Sequence, residues 1–197
     1  MPRLFIALEI PRSAALSLSL LRGGLHGARW IDVENYHVTL RFVGDVEGHT
    51  ADELAHALYR VHRPEFELAL RGVGAFGSRK PHSIWAGVSP APELMALQGE
   101  LERICQRLGL RPDPRKFTPH VTMARTRNVR VDDVVAYLSE RANFMTDPFP
   151  VSRFVLMSSR DSVGGGPYLT EEAYPLVADV ASPVYAGAYA SPSHGFG

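Results

Sequence analysis

The sequence predicts an α+β fold: two pseudo-symmetric lobes of mostly antiparallel sheet, with helices on the outside and an active-site cleft between them. Three observations predict it. About eight strand-like runs are interleaved with four helical ones rather than segregated from them. A four-residue pattern, His-x-Thr-x, occurs once in each half, as His37-Val38-Thr39-Leu40 and as His120-Val121-Thr122-Met123. The copies lie 120 − 37 = 83 residues apart, much farther than the period of a solenoid or propeller, so a duplicated half-domain explains them better than a tandem array.

Each element has its own local reason. Residues 3–9 are mostly apolar and of strand length, and Pro11 opens a helix over 11–22 that Gly23-Gly24 stops. Residues 29–33 read as a short extended piece, and 36–43 as the strand that carries the first motif, closed by Gly44. Thr50 and Glu53 fit a capping box, followed by Leu54, Ala57, Leu58 and Val61 on one helical face, with the helix ending near Pro64. Phe66, Leu68 and Leu70 alternate as in a half-buried strand that leads into a glycine-rich turn over 72–77. Residues 83–88 form another strand. A helix over 92–108 presents Leu94, Leu97, Leu101, Ile104, Cys105 and Leu108 as one stripe, with Gly109 at its C-terminal cap. After a Pro/Arg-rich loop over 111–118, Pro119 marks the start of the strand with the second motif. Residues 131–141 read as a helix; 151–158 and 168–177 read as strands joined through Gly164-Gly165-Gly166-Pro167. From Ala181 onward only small residues, Pro, Gly and Ser remain, without apolar period. The expected organisation is one bilobal domain over 1–180 and a disordered tail over 181–197.

Composition narrows the function. With 45% apolar and 21% charged residues in 197, the chain is that of an ordinary soluble globular protein. No apolar run approaches the roughly 18–20 residues that span a bilayer, so no membrane partner is expected. The first apolar run is short and ends at Pro11 without a small-residue cleavage site, which makes it a strand rather than a signal peptide and the cytoplasm the default location. A single cysteine, Cys105, excludes an intramolecular disulfide and a multi-cysteine metal site, and its place on the helical stripe makes it a core residue. Net charge is zero, which argues against a generic nucleic-acid coat, yet residues 103–130 hold eight basic side chains against Asp113 alone. That basic segment runs through the second motif, where it would attract a phosphate-bearing ligand.

On a strand, alternate side chains share a face, so each motif sets an imidazole and a hydroxyl side by side, about 6–7 Å apart. With eight histidines and seven threonines, chance places Thr two residues after His only about 0.3 times, so two occurrences call for a cause. Two imidazoles on opposite sides of a reacting centre supply a general acid and a general base near pH 7. Two hydroxyls aimed at the same point suit the oxygens of a phosphate. The alternatives fit less well. The chain has no G-x-S-x-G elbow and no P-loop, and a zinc site built on His37 and His120 would need a further ligand, so no metal or cofactor is expected. His26, His49, His56, His62, His82 and His194 stand in no comparable setting and read as surface or structural residues.

These motifs resemble those of the 2H phosphoesterases and, within them, the bacterial and archaeal RNA 2′,3′-cyclic phosphodiesterases, also called 2′-5′ RNA ligases. The similarity extends over residues 3–178. It rests on Arg3-Leu4-Phe5-Ile6-Ala7-Leu8, on the first motif continued by Arg41-Phe42-Val43-Gly44, on Phe117-Thr118-Pro119 before the second motif and Ala124-Arg125 after it, and on Gly166-Pro167-Tyr168. Met123 departs from the family's usual Leu, a volume-conserving change. The resemblance implies hydrolysis of a terminal 2′,3′-cyclic phosphate on RNA, or on a cyclic nucleotide, to a 2′-phosphate without metal. It implies His120 as the base that activates water, His37 as the acid that protonates the departing 3′ oxygen, and Thr39 and Thr122 as phosphate ligands. Arg125 is a natural anion partner, and Phe42, at the corresponding position of the first motif, is available for stacking. An offset of five residues from the histidine has the wrong parity for a flat strand, so both need a bulge, a strand end or an indirect role.

Three functions compete: the cyclic phosphodiesterase; a 2′-5′ RNA ligase that joins cyclic-phosphate and 5′-hydroxyl ends; and a non-catalytic module that binds RNA ends. A monomer is the expected state. The common expectation is that His37 and His120 face each other.

Overall fold

The computed structural model describes residues 3–159 and 166–178. The tail expected over 181–197, and Gly164 and Gly165 of the last connection, lie outside the described residues. In chain order the elements are β1 (Arg3–Glu9), α1 (Arg12–Ser19), β2 (Ala28–Trp30), a 3₁₀ turn (Val33–Asn35), β3 (His37–Asp45), α2 (Gly48–Leu58), β4 (Phe66–Leu68) and β5 (Leu70–Phe76). They continue with β6 (Ser83–Val88), α3 (Pro92–Arg107), β7 (His120–Thr126), α4 (Val131–Glu140), β8 (Phe149–Val151), β9 (Arg153–Ser159) and β10 (Tyr168–Pro175).

Seven strands run β10-β9-β1-β3-β7-β6-β5, with β2 added beside β7, while β4 and β8 pair separately. All pairings between these strands are antiparallel, so the α+β class and the mostly antiparallel sheet are as expected. The two lobes are the halves of one sheet, β10-β9-β1-β3 and β7-β6-β5. They meet at a seam where β3 and β7 share a single paired position, Val38 with Val121. One end of the seam is closed by β2, which pairs with residues 124–126 of β7, and by Ile31 N–H donating to the Met123 carbonyl at 2.8 Å. At the other end no strand of the described residues fills the gap, and the chain over 111–118 passes by as a loop.

One face of the sheet packs on the helices. Val38, Leu40, Val121 and Met123 are all buried and join Leu94, Leu97, Leu101 and Cys105 of α3 in one cluster. Burial pushes the Cys105 thiol up to about 11, in keeping with a core position. β1 is covered on both sides: Leu4, Ile6 and Leu8 face the main core, whereas Phe5 and Ala7 face the other way with Val155 and Met157.

Several local expectations are corrected. Residues 72–76 are not a turn but most of β5, which ends before Gly77; Gly74 lies opposite Trp85, and a Cβ there would come within 2.3 Å of the indole. The glycine makes room for a ring rather than for a reversal. Thr50 is not an N-cap: α2 begins at Gly48 with Glu47 at the cap, and no side chain caps it. The helix is also shorter than expected, ending at Leu58 well before Pro64. The run over 151–158 divides, with Val151 in the β4–β8 pair and β9 starting at Arg153.

Candidate active site

The two motif strands present matching faces. Along β3 and along β7 the first six residues alternate in the same way: the histidine and threonine half-buried, the intervening valine buried, then two buried residues in succession and an exposed one. The two successive buried residues mark a bulge in each strand. Opposite β1, Ala7 pairs with Thr39 and Ile6 with Arg41, so Leu40 is the extra residue. Opposite β6, Trp85 pairs with Thr122 and Ile84 with Ala124, so Met123 is extra. Each bulge shifts the parity by one and returns Phe42 and Arg125 to the face of the histidines. The two residues whose offset required a bulge therefore each have one.

With Val38 paired to Val121 and both pointing into the core, the neighbours on either side point into the cleft. Extending that register by one residue places His37 across from Thr122, and Thr39 across from His120. Side chains directly opposite lie about 4.5–5.5 Å apart at Cβ, and diagonal ones, as the two histidines are, about 7–8 Å. That spacing admits a phosphate between the imidazoles with a hydroxyl on each flank. All six expected site residues, His37, Thr39, Phe42, His120, Thr122 and Arg125, line one cavity of about 390 Å³.

Both histidines are oriented by the same device. Nδ1 of His37 donates to the Asn35 carbonyl at 2.8 Å, and Nδ1 of His120 donates to the Thr118 carbonyl at 2.6 Å. A carbonyl only accepts, so the proton of each neutral ring sits on Nδ1 and the Nε2 lone pair is left for the cleft. Aromatic rings from the neighbouring strands hold each imidazole from the sides. Phe5 of β1 and Tyr168 of β10 have centroids 5.0 Å from His37, whereas Phe76 of β5 and Trp85 of β6 lie 4.9 and 6.0 Å from His120. Asn35 fixes the end of β10 as well, its Oδ1 accepting from Tyr168 N–H at 3.3 Å.

This setting disfavours the imidazolium. Burial pushes His37 down to about 4, against the Asn35 hydrogen bond that favours the cation, with smaller contributions from His120 and Arg125. Burial likewise lowers His120, against its bond to Thr118 and with help from Arg125 and Arg115. Both folded-state values lie below the ordinary 6.5, so the unfolded chain takes up protons that the folded one refuses as the pH falls below about 6.5. Stability is thus expected to drop from pH 6.5 towards pH 4. Thermal melts of His37→Gln should show a shallower loss over that window; a loss as steep as in the wild type would remove His37 as its source.

Sequence reasoning assigned no part to the rest of the wall. Phe5 and Tyr168 stood in segments that carry the resemblance, and Asn35 and Phe76 in none, but the place of all four in the cavity depends on which segments become neighbours. His82, read as a surface or structural residue, lines the cavity with its ring stacked on Phe76 at 6.4 Å. Of the basic segment over 103–130, only Arg115 and Arg125 reach this cavity; Arg115 forms a paired contact with Asp113 at 3.0–3.1 Å and lies 5.7 Å from the Phe42 ring. Along the open end of the seam the cavity continues into a second space of about 500 Å³, between Phe42, Phe76, Phe117 and Lys116 and adjoining His120. Among the described residues no three His, Cys, Asp or Glu side chains converge in a way that would hold a metal ion.

Comparison with known proteins yields one consistent group. Residues 11–162 match the family model described as the 2′-5′ RNA ligase superfamily. An RNA 2′,3′-cyclic phosphodiesterase of Aeropyrum pernix is 34% identical over 153 residues, spanning 76% of this chain and 86% of that protein. One of Thermotoga maritima is 32% identical over 164 residues, spanning 80% of this chain and 86% of that protein. The crystal structure of Escherichia coli LigT complexed with 3′-AMP matches at a TM-score of 0.72 and 24% identity, covering 89% of this chain and 99% of that one, which is a likeness of fold.

Proposed function

The chain belongs to the 2′-5′ RNA ligase superfamily, and from that membership and the cleft we propose that it is an RNA 2′,3′-cyclic phosphodiesterase that needs no metal. The observation that carries this reading is the crossed placement of two His–Thr pairs about one seam, each histidine held through Nδ1 with Nε2 towards the cavity.

The cyclic phosphate lies between the imidazoles, with Thr39, Thr122 and Arg125 holding its non-bridging oxygens. Nε2 of His120 takes a proton from water as the water oxygen attacks phosphorus in line with the bond to O3′. That bond breaks, and Nε2–H of His37 gives its proton to the departing O3′. The product is a 2′-phosphomonoester with a free 3′-hydroxyl, and the two histidines return to their starting states by exchanging protons with solvent. The anionic phosphodiester favours the imidazolium and so opposes the burial that otherwise keeps His37 neutral. Once protonated, a weakly basic imidazole is a good proton donor. His120, facing Arg115 and Arg125, stays neutral and suits the base. The Phe42 ring, exposed beside Arg115, offers a stacking surface for the nucleobase.

The test is turnover of 2′,3′-cyclic AMP with and without EDTA, with the products separated as 2′- and 3′-phosphates. The 2′-phosphate is expected at an unchanged rate after EDTA treatment; a 3′-phosphate product, or loss of activity on chelation, would overturn the mechanism. Ligation is the second reading, favoured by the space beside His120, where a nucleoside 5′-hydroxyl has room to replace water. Paired RNA halves separate the two by yielding a 2′-5′ joined product or only the hydrolysed end.

A further inference from the structure

Two arginines of the basic segment, Arg103 and Arg107, do not reach the catalytic cavity but line a separate one of about 410 Å³ between α2 and α3. Arg60 and Arg63, in the chain that leaves α2, bring the arginines that line it to four. Their one acidic neighbour in the cavity wall is Glu100, whose carboxylate takes the Arg63 Nε–H at 2.6 Å. Arg60, Arg103 and Arg107 have no ion pair among the described residues, so the cavity carries a net charge of about three positive units in a chain that is neutral overall. Ile104 and Leu108 give it an apolar floor.

Folding alone does not account for this cluster. Arg107 in the last turn of α3 is favoured by the helix dipole, but Arg103 stands one turn before it on the same face, where like charges repel. Two further guanidinium groups across the cavity add to the repulsion. An anion with several oxygens removes the penalty, and guanidinium groups are suited to phosphate because they donate in pairs.

We propose that this cavity is a phosphate-binding exosite, on the helical side of the molecule, that holds the backbone of an RNA strand away from its reacting end. Its link to RNA rests on the function proposed above; the binding of phosphate does not. The cyclic mononucleotide is too short to need it, so the site should act on affinity for longer RNA and leave the chemical step alone.

The experiment pairs the wild type with the double variant Arg103→Glu/Arg107→Glu, whose side chains are exposed and compatible with a helix. Binding is measured to a 12-nucleotide single strand without a cyclic end, to ATP and to inorganic phosphate, across a salt series. Hydrolysis of 2′,3′-cyclic AMP is followed in parallel. The variant is expected to bind the RNA roughly ten-fold or more weakly, and its log–log salt slope should fall by about 1.4, or 0.7 for each lost phosphate contact. Its kcat and KM for cyclic AMP should match the wild type. If ATP binds as tightly as the RNA and is lost in the variant, the site is a phosphate site for free nucleotides, which supports the chemistry and replaces the strand as its source. Equal binding of every phosphate probe by wild type and variant overturns the proposal, whereas failure of the wild type on cyclic AMP would count only against the catalytic reading.

Discussion

Replacing either His120 or His37 by alanine is expected to lower kcat for a 2′,3′-cyclic phosphate by about 10²–10⁴-fold, the usual contribution of one positioned acid or base. Both side chains are half-buried at the cavity wall and the valines that hold the seam are untouched, so circular dichroism should match the wild type and the thermal midpoint should shift by little. KM should change little for His120→Ala, since Thr39, Thr122 and Arg125 still hold the phosphate. The two losses should not add: once the base is gone, the acid has little left to accelerate, and the double variant should resemble the worse single one. Either alanine variant turning over within a few-fold of the wild type would end the two-histidine mechanism.

The largest effect on stability is expected at Arg41. Although it directly follows the first motif, its side chain is buried on the helical side, where Nε lies 2.5 Å from the Glu102 carboxylate of α3. Its two terminal nitrogens donate to the carbonyls of Phe42 and Arg111. The guanidinium therefore ties the bulge of β3 to α3 and to the start of the loop that carries Arg115. Arg41→Ala takes the cation from Glu102 Oε2, while Oε1 still accepts from Gln106 and from Asp113 N–H, and it frees two carbonyls, a loss of about 3 kcal/mol and a fall in Tm on the order of 10 °C for a chain of this length. Arg41→Met/Glu102→Met, which removes both charges and keeps the volume, should recover most of it. Urea titration of the three proteins measures both steps; an unchanged midpoint in Arg41→Ala would mean that water already solvates the pair.

The limits of sequence reading lie at pairings between distant segments. The histidines and threonines were legible because a two-residue period within one strand fixes their common face. The α3 stripe was legible because Leu94, Leu97, Leu101 and Cys105 follow the helical period and all prove buried. By contrast, the parity of Phe42 and Arg125 was undetermined until the partner strands revealed the extra residues Leu40 and Met123. Gly74 signalled a turn by composition, and only its neighbour across the sheet, Trp85, explains it. Thr50 looked like a cap because capping boxes are read from spacing, yet α2 starts two residues earlier, on Gly48. The charge count over 103–130 treated as one patch residues that the fold separates, with Arg115 and Arg125 on one cavity and Arg103 and Arg107 on another.

The carbonyls of Asn35 and Thr118 have an evolutionary consequence. In many acid–base sites the group that steers a histidine is a carboxylate, and a single codon change can delete it. Here the steering atom belongs to the main chain, so every amino acid at position 35 or 118 still carries it. Mutation can erode the surroundings, but the tautomer of each ring is inherited with the path of the backbone. A lineage can therefore vary the side chains at positions 35 and 118 and keep the Nδ1 of both histidines held.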